Sequence, residues 1–80
     1  MRLNDLLELI EVDTKVKITM YGGDGVNEPF YHKTLYTGVV YTCRLEKYRN
    51  NKIIDVSLNL MHQLVISISD KEVINKNEKD

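Results

Sequence analysis

The chain has 80 residues, 42% of them hydrophobic and 29% charged, with a formal net charge of −1. That length gives one small domain with a modest core. The balanced charge argues against extended nucleic acid as a partner, because gripping a phosphate backbone needs a concentrated excess of Lys and Arg.

The opening segment is amphipathic. Leu3, Leu6, Leu7 and Ile10 recur at i, i+3, i+4 and i+7, which places them on one helical face. A short helix is expected over residues 4–11, with Asn4 as its N-cap and acids in its first turns. Two turns are not stable alone, so the apolar face must pack on something. Acids within MRLNDLLELIEVD set this segment apart from a secretion signal. The longest apolar run is far too short to span a bilayer. The expected compartment is the cytosol, with no membrane partner.

The pattern then switches to period two. Val16, Ile18 and Met20 share one face, and Lys15, Lys17 and Thr19 the other, as in a half-buried strand. Residues 21–32, YGGDGVNEPFYH, hold three of the four glycines and the only proline. They read as a flexible connection whose glycines supply positive φ and whose Pro29 stiffens the exit. GGDGVN approaches a calcium-binding repeat turn, G-G-x-G-x-D. It lacks the final aspartate and occurs once, whereas such sites need stacked copies. No phosphate-cradling glycine motif is present.

Residues 34–48, rich in Thr, Tyr and Val, read as one long strand. Leu35, Thr37, Val39, Tyr41, Cys43 and Leu45 fall on one face, and Gly38 suggests a bulge. Arg49–Lys52 reads as a turn into another strand beginning near Ile53. Beyond it, Ile54, Val56, Leu58 and Leu60 alternate, as do Leu64, Ile66 and Ile68, with either a continued strand or one helical turn at 58–63. Asp70-Lys71 is expected to turn the chain into a last strand at 72–74. The sum is α+β: a short N-terminal helix on a small, curved, mostly antiparallel sheet of four to five strands. Residues 1–74 form the single domain and 75–80 a frayed polar tail. A sheet this small leaves an edge strand open, and edge pairing in a homo-oligomer would resolve that.

The chemistry is sparse. Cys43 lies in an apolar pattern and reads as a small buried hydrophobe. His32 and His62 have no second ligand at metal spacing, and the carboxylates are scattered rather than paired. No catalytic residue, metal site or cofactor is expected. What stands out is a run of rings and cations between residues 21 and 49. Tyr21, Phe30, Tyr31, His32, Lys33, Tyr36, Arg44, Tyr48 and Arg49 are the candidate binding residues. Rings with cations suit bases and phosphates, and Tyr and Arg equally suit protein hot spots.

The segments L-N-D-L-L-E-L-I (3–10), T-K-V-K-I (14–18), L-Y-T-G-V-V (35–40) and L-V-I-S-I (64–68) resemble those of small proteins carried by phages and prophages of Gram-positive bacteria. The chain departs from that pattern in its long 21–33 loop and its RLEKYRNNK hairpin. The resemblance implies a phage accessory protein, and such proteins often disable host immunity by binding. The expected function is non-enzymatic inhibition of a host defence protein, such as a CRISPR effector, in the host cytoplasm. The alternatives are a sponge that sequesters a nucleotide immune signal in an inter-subunit pocket using Arg44, Arg49 and aromatics, and a structural or regulatory phage oligomer.

Overall fold

The computed structural model describes residues 1–73; the last position of the expected 72–74 strand and the expected tail at 75–80 lie outside the described residues. The architecture is α+β, with one short helix packed on a four-stranded, mostly antiparallel open sheet. In chain order the elements are α1 (Leu3–Leu9), β1 (Lys15–Gly22), β2 (Tyr31–Val39), two 3₁₀ turns (Val40–Thr42 and Glu46–Tyr48), β3 (Asn51–Leu58) and β4 (Leu64–Val73). The spatial order is β2-β1-β4-β3. The central pair β1/β4 is parallel, and each edge strand runs antiparallel to its neighbour.

The period-two pattern of β1 determines which side is the core. Val16, Ile18 and Met20 are buried with Ile66 and Ile68 of β4, and Leu3 and Leu7 of α1 close over them. Lys15 and Lys17 point to the other side, where polar residues dominate. The helix begins one residue earlier than its sequence suggests, because Asp5 and not Asn4 organises its start. The Asp5 carboxylate accepts the backbone N–H of Arg2 at 3.1 Å and pairs with its guanidinium at 2.7 Å. Asn4 donates to Glu8 and accepts from Arg49 instead.

The long strand expected over 34–48 is cut at Val39. Gly38 has a φ of 153°, and the next two amides turn back, Val40 N–H to Thr14 O and Tyr41 N–H to Val12 O. Residues 40–50 then cross the helix-covered side of the sheet, burying Cys43 and packing Leu45 and Tyr48 against the core. So β2 and β3 form no hairpin; they are opposite edges. The crossing chain meets the helix where Asn4 N–H bonds to Arg49 O. Arg2 bridges Lys52, and Ile53 N–H bonds to Met1 O, so the first residues cover the start of the β3 edge.

The β3–β4 connection is a turn built on Asn59, whose Oδ1 accepts from the N–H groups of Met61 and Gln63. His62 there has a φ of 61°, a left-handed conformation that costs a non-glycine residue about 1–2 kcal/mol. Glycine removes that strain but loses more chain entropy on folding. His62→Gly is therefore expected to raise the melting temperature by about 2–4 °C in calorimetry. The turn expected at Asp70-Lys71 is an irregularity within β4. Ile53 pairs with Ile68 and Asn51 with Val73, so extra β4 residues bulge between them. Ser69 Oγ stabilises the bulge by accepting from Lys71 and Glu72 N–H.

Candidate functional site

The two ends of the sheet differ chemically. One end carries the glycine loop, where β1 and β4 finish and β2 and β3 begin. Asp24 organises the loop: its Oδ1 accepts the N–H groups of Val26, Asn27 and Glu28 at 2.8, 2.8 and 3.0 Å. Gly23 and Gly25 take positive φ, as the turn requires. Glu28 pairs with Lys71 at 3.2 Å, tying the loop to β4. The connection is thus a hydrogen-bonded turn, not an unstructured link. Those three amides hold the Asp24 carboxyl down to about 2.

A carboxyl lowered in the folded protein contributes its stability fully above its ordinary range near 4, and loses it as pH falls through about 2. A carboxyl carbon titration by NMR should place the Asp24 midpoint near 2. A midpoint near 4 would mean the three bonds do not form in solution.

The nine candidate binding residues do not form one surface. The pairing of β1 with β2 sorts them by parity. Tyr21 and His32 are opposite each other on the side away from the helix, with ring centroids 5.6 Å apart. Tyr31 and Lys33, paired with Gly22 and Met20, face the helix side. Tyr36 packs against the core and donates its hydroxyl to Val39 O. Phe30 is exposed in the loop with its ring against Gly25. Arg44 donates to Tyr41 O and Cys43 O, while Arg49 braces Asn4 and Glu46.

Three of the nine, Tyr31, Lys33 and Tyr48, meet in a cleft of about 370 Å³ on the helix side of the sheet. Met20, Lys47, Asn51, Asp70 and Val73 complete its lining. Tyr31 is fixed there by donating its hydroxyl to Asp70. That bond, with burial, pushes the phenol above its ordinary range. A Cβ on Gly22 would fall on the Tyr31 ring and the Asp70 carboxylate, so the ring can lie there only because position 22 has no side chain. Asn51 is buried and donates Nδ2 to Ser69 O at 2.8 Å. Lys47 Nζ lies 5.7 Å from the centre of the Tyr48 ring, within cation–π range. Asp70 Oδ1 is shielded and has no hydrogen-bond donor among the described residues.

Sequence reasoning passed over Lys47, Asn51 and Asp70. Asp70 did carry a signal: it lies in phase with Ile66 and Ile68, so a carboxylate continues the apolar face of its own strand. Asn51 and Lys47 carried none: Asn51 lies in the stretch read as a turn, and Lys47 near the end of a strand that the fold cuts at Val39.

The other end of the sheet, where β1 and β4 begin, is apolar and open. Val12, Tyr41, Leu58 and Met61 are all exposed there, and Leu60 is 99% exposed. Their placement at one end follows from the pairings Val16↔Leu64 and Leu58↔Leu64 and from the bond of Tyr41 N–H to Val12 O.

Fold and site together define a small α+β structure with a cleft of rings and charged groups at one end and an apolar rim at the other. Among the described residues no group of His, Cys, Asp or Glu is placed to hold a metal ion, and no helix is long and apolar enough to cross a membrane. No family model, curated protein or solved structure matches the chain.

Proposed function

We propose that this is a non-enzymatic phage accessory protein that acts in the host cytoplasm by binding and disabling a host defence protein, a CRISPR effector being one such target. The observation supporting a protein partner is the apolar rim. Side chains as large as Leu58, Leu60, Met61 and Tyr41 are held in solvent at one end of the sheet, and clustered exposure of that kind marks interaction surfaces. The outer edge of β2, and of β3 beyond Ile53, has no strand partner among the described residues. Self-association through an edge belongs to the same proposal.

The test is expression in defended host strains during phage challenge, with the chain tagged for co-purification. Restored plaque formation, with the matching defence protein recovered in stoichiometric amount, supports the reading. If no tested defence system is weakened, counter-defence by either route fails.

The competing reading is sequestration of a nucleotide immune signal. The observation favouring it is the cleft, with its two tyrosines and two lysines, and not Arg44 or Arg49, whose guanidiniums are engaged within the chain.

A further inference from the structure

The cleft sets two lysines, Lys33 and Lys47, beside two tyrosines, Tyr31 and Tyr48. Lys52 is paired with Glu72 and Lys71 with Glu28, each at 3.2 Å. Lys33 and Lys47, which line the cleft, have no carboxylate partner among the described residues. Two unpaired ammonium groups beside one cavity form a point-charge site for phosphate. Its aromatic part is preorganised. Asp70 and the bare backbone at Gly22 fix Tyr31, and Tyr48 is held by its 3₁₀ turn against the core. Stacking on rings that are already ordered costs little entropy, and is worth about 1–3 kcal/mol per base elsewhere.

Asp70 gives the cleft a polarity. Its carboxylate repels an anion, so a phosphate belongs on the lysine side and a neutral ring beside Tyr31. The size sets the limit. About 370 Å³ lies at the low end of small-molecule sites, which run from about 300 to 1,000 Å³.

We propose that one chain binds one nucleoside monophosphate in this cleft, its base against Tyr31 and Tyr48 and its phosphate on Lys33 and Lys47. The proposal deepens the nucleotide reading, and is independent of the protein-binding rim at the opposite end of the sheet. It also places the site within a single chain.

The experiment titrates the full chain with AMP, GMP, CMP and UMP, and in parallel with inorganic phosphate and with the free nucleosides. Thermal melts and amide NMR shifts are the readouts. At least one monophosphate should saturate with a Kd below about 1 mM, raise the melting temperature and shift the amides of Tyr31, Lys33, Lys47 and Asp70. Phosphate alone and nucleoside alone should each bind at least about 10-fold more weakly, because each reaches half the site. Lys33→Ala with Lys47→Ala should weaken binding by a similar factor. Lys15→Ala with Lys17→Ala, on the far side of the sheet, should leave it unchanged. Tyr48→Leu, which keeps the apolar packing, should weaken binding of the monophosphate but not of phosphate.

Absence of saturation by any monophosphate up to about 10 mM overturns the proposal, as do equal affinity for bare phosphate or shifts confined to the apolar rim. These outcomes are separate from the defended-host assay. The cleft can bind a mononucleotide in vitro while counter-defence fails, and the reverse is equally readable.

Discussion

Leu3→Ala should lower the melting temperature by at least about 10 °C. Leu3 is fully buried, at 0% exposure, and lies between the helix and the two central strands. Removing three carbons from such a site costs about 2–5 kcal/mol, through lost transfer energy and the cavity left behind. A domain of this size has only about 5–15 kcal/mol of stability, and an 80-residue chain belongs near the lower limit. Each kcal/mol then moves the melting point by about 4–8 °C. The helix has seven residues and no independent stability, so its docking and the core stand or fall together. Ile66→Ala, at the equally buried centre of β4, should match it. Leu9→Ala, on the exposed side of the same helix, is the control and should change the midpoint by no more than about 2 °C. Calorimetry on the three variants decides the matter. If Leu3→Ala melts with the control, α1 does not seal the sheet.

If the chain acts by the proposed capture of a defence protein, Leu60→Asp combined with Met61→Asp should abolish counter-defence while leaving the fold intact. Both side chains are exposed, so their replacement creates no cavity and should leave the melting temperature within about 2 °C of the parent. At an interface the same change would bury carboxylates against an apolar partner. Truncating a central apolar anchor typically costs about 2–4 kcal/mol, or about 30- to 1,000-fold in affinity, and a buried unpaired charge costs more. The measurement is plaque formation in the defended host, with co-purification of the defence protein as the second readout. A double variant that protects the phage as well as the parent would remove the rim from the binding surface. Lys33→Ala with Lys47→Ala should leave protein capture unaffected, because the cleft is at the other end. The pair of double variants therefore separates the two modes of action.

Much of this was readable from residue order alone. The spacing of Leu3, Leu6, Leu7 and Ile10 identified both the helix and the face it buries. The alternation of Val16, Ile18 and Met20, and of Leu64, Ile66 and Ile68, identified the two central strands and their core side. Cys43 is buried as expected, but by the crossing segment and not by the strand alternation that suggested it. These signals are strong because burial on one side of a helix or strand imposes a period on the sequence.

The nine candidate residues share a chemistry, and their proximity in the chain suggests a single surface. Period two works against that. Tyr21 and His32 face one side of the sheet, and Tyr31 and Lys33 the other. Neighbours in a strand diverge by construction, so composition over a window of residues cannot describe a surface built from strands.

Residue order alone was enough for the helix, for the two central strands with their core faces, and for the glycine-rich turn after β1. Local hydrogen bonding and the burial period decide those, and both are written in neighbouring residues. The strand order, the parallel pairing of β1 with β4, and the crossing of residues 40–50 that separates β2 from β3 emerge only in three dimensions. So does the grouping of Tyr31, Tyr48, Lys33, Lys47 and Asp70 along one cleft. The reason is that alternation along a strand specifies which side is buried but not which strand lies next to it. The choice of neighbour comes from closing the whole core at once, with the helix and the crossing segment sharing one side of the sheet.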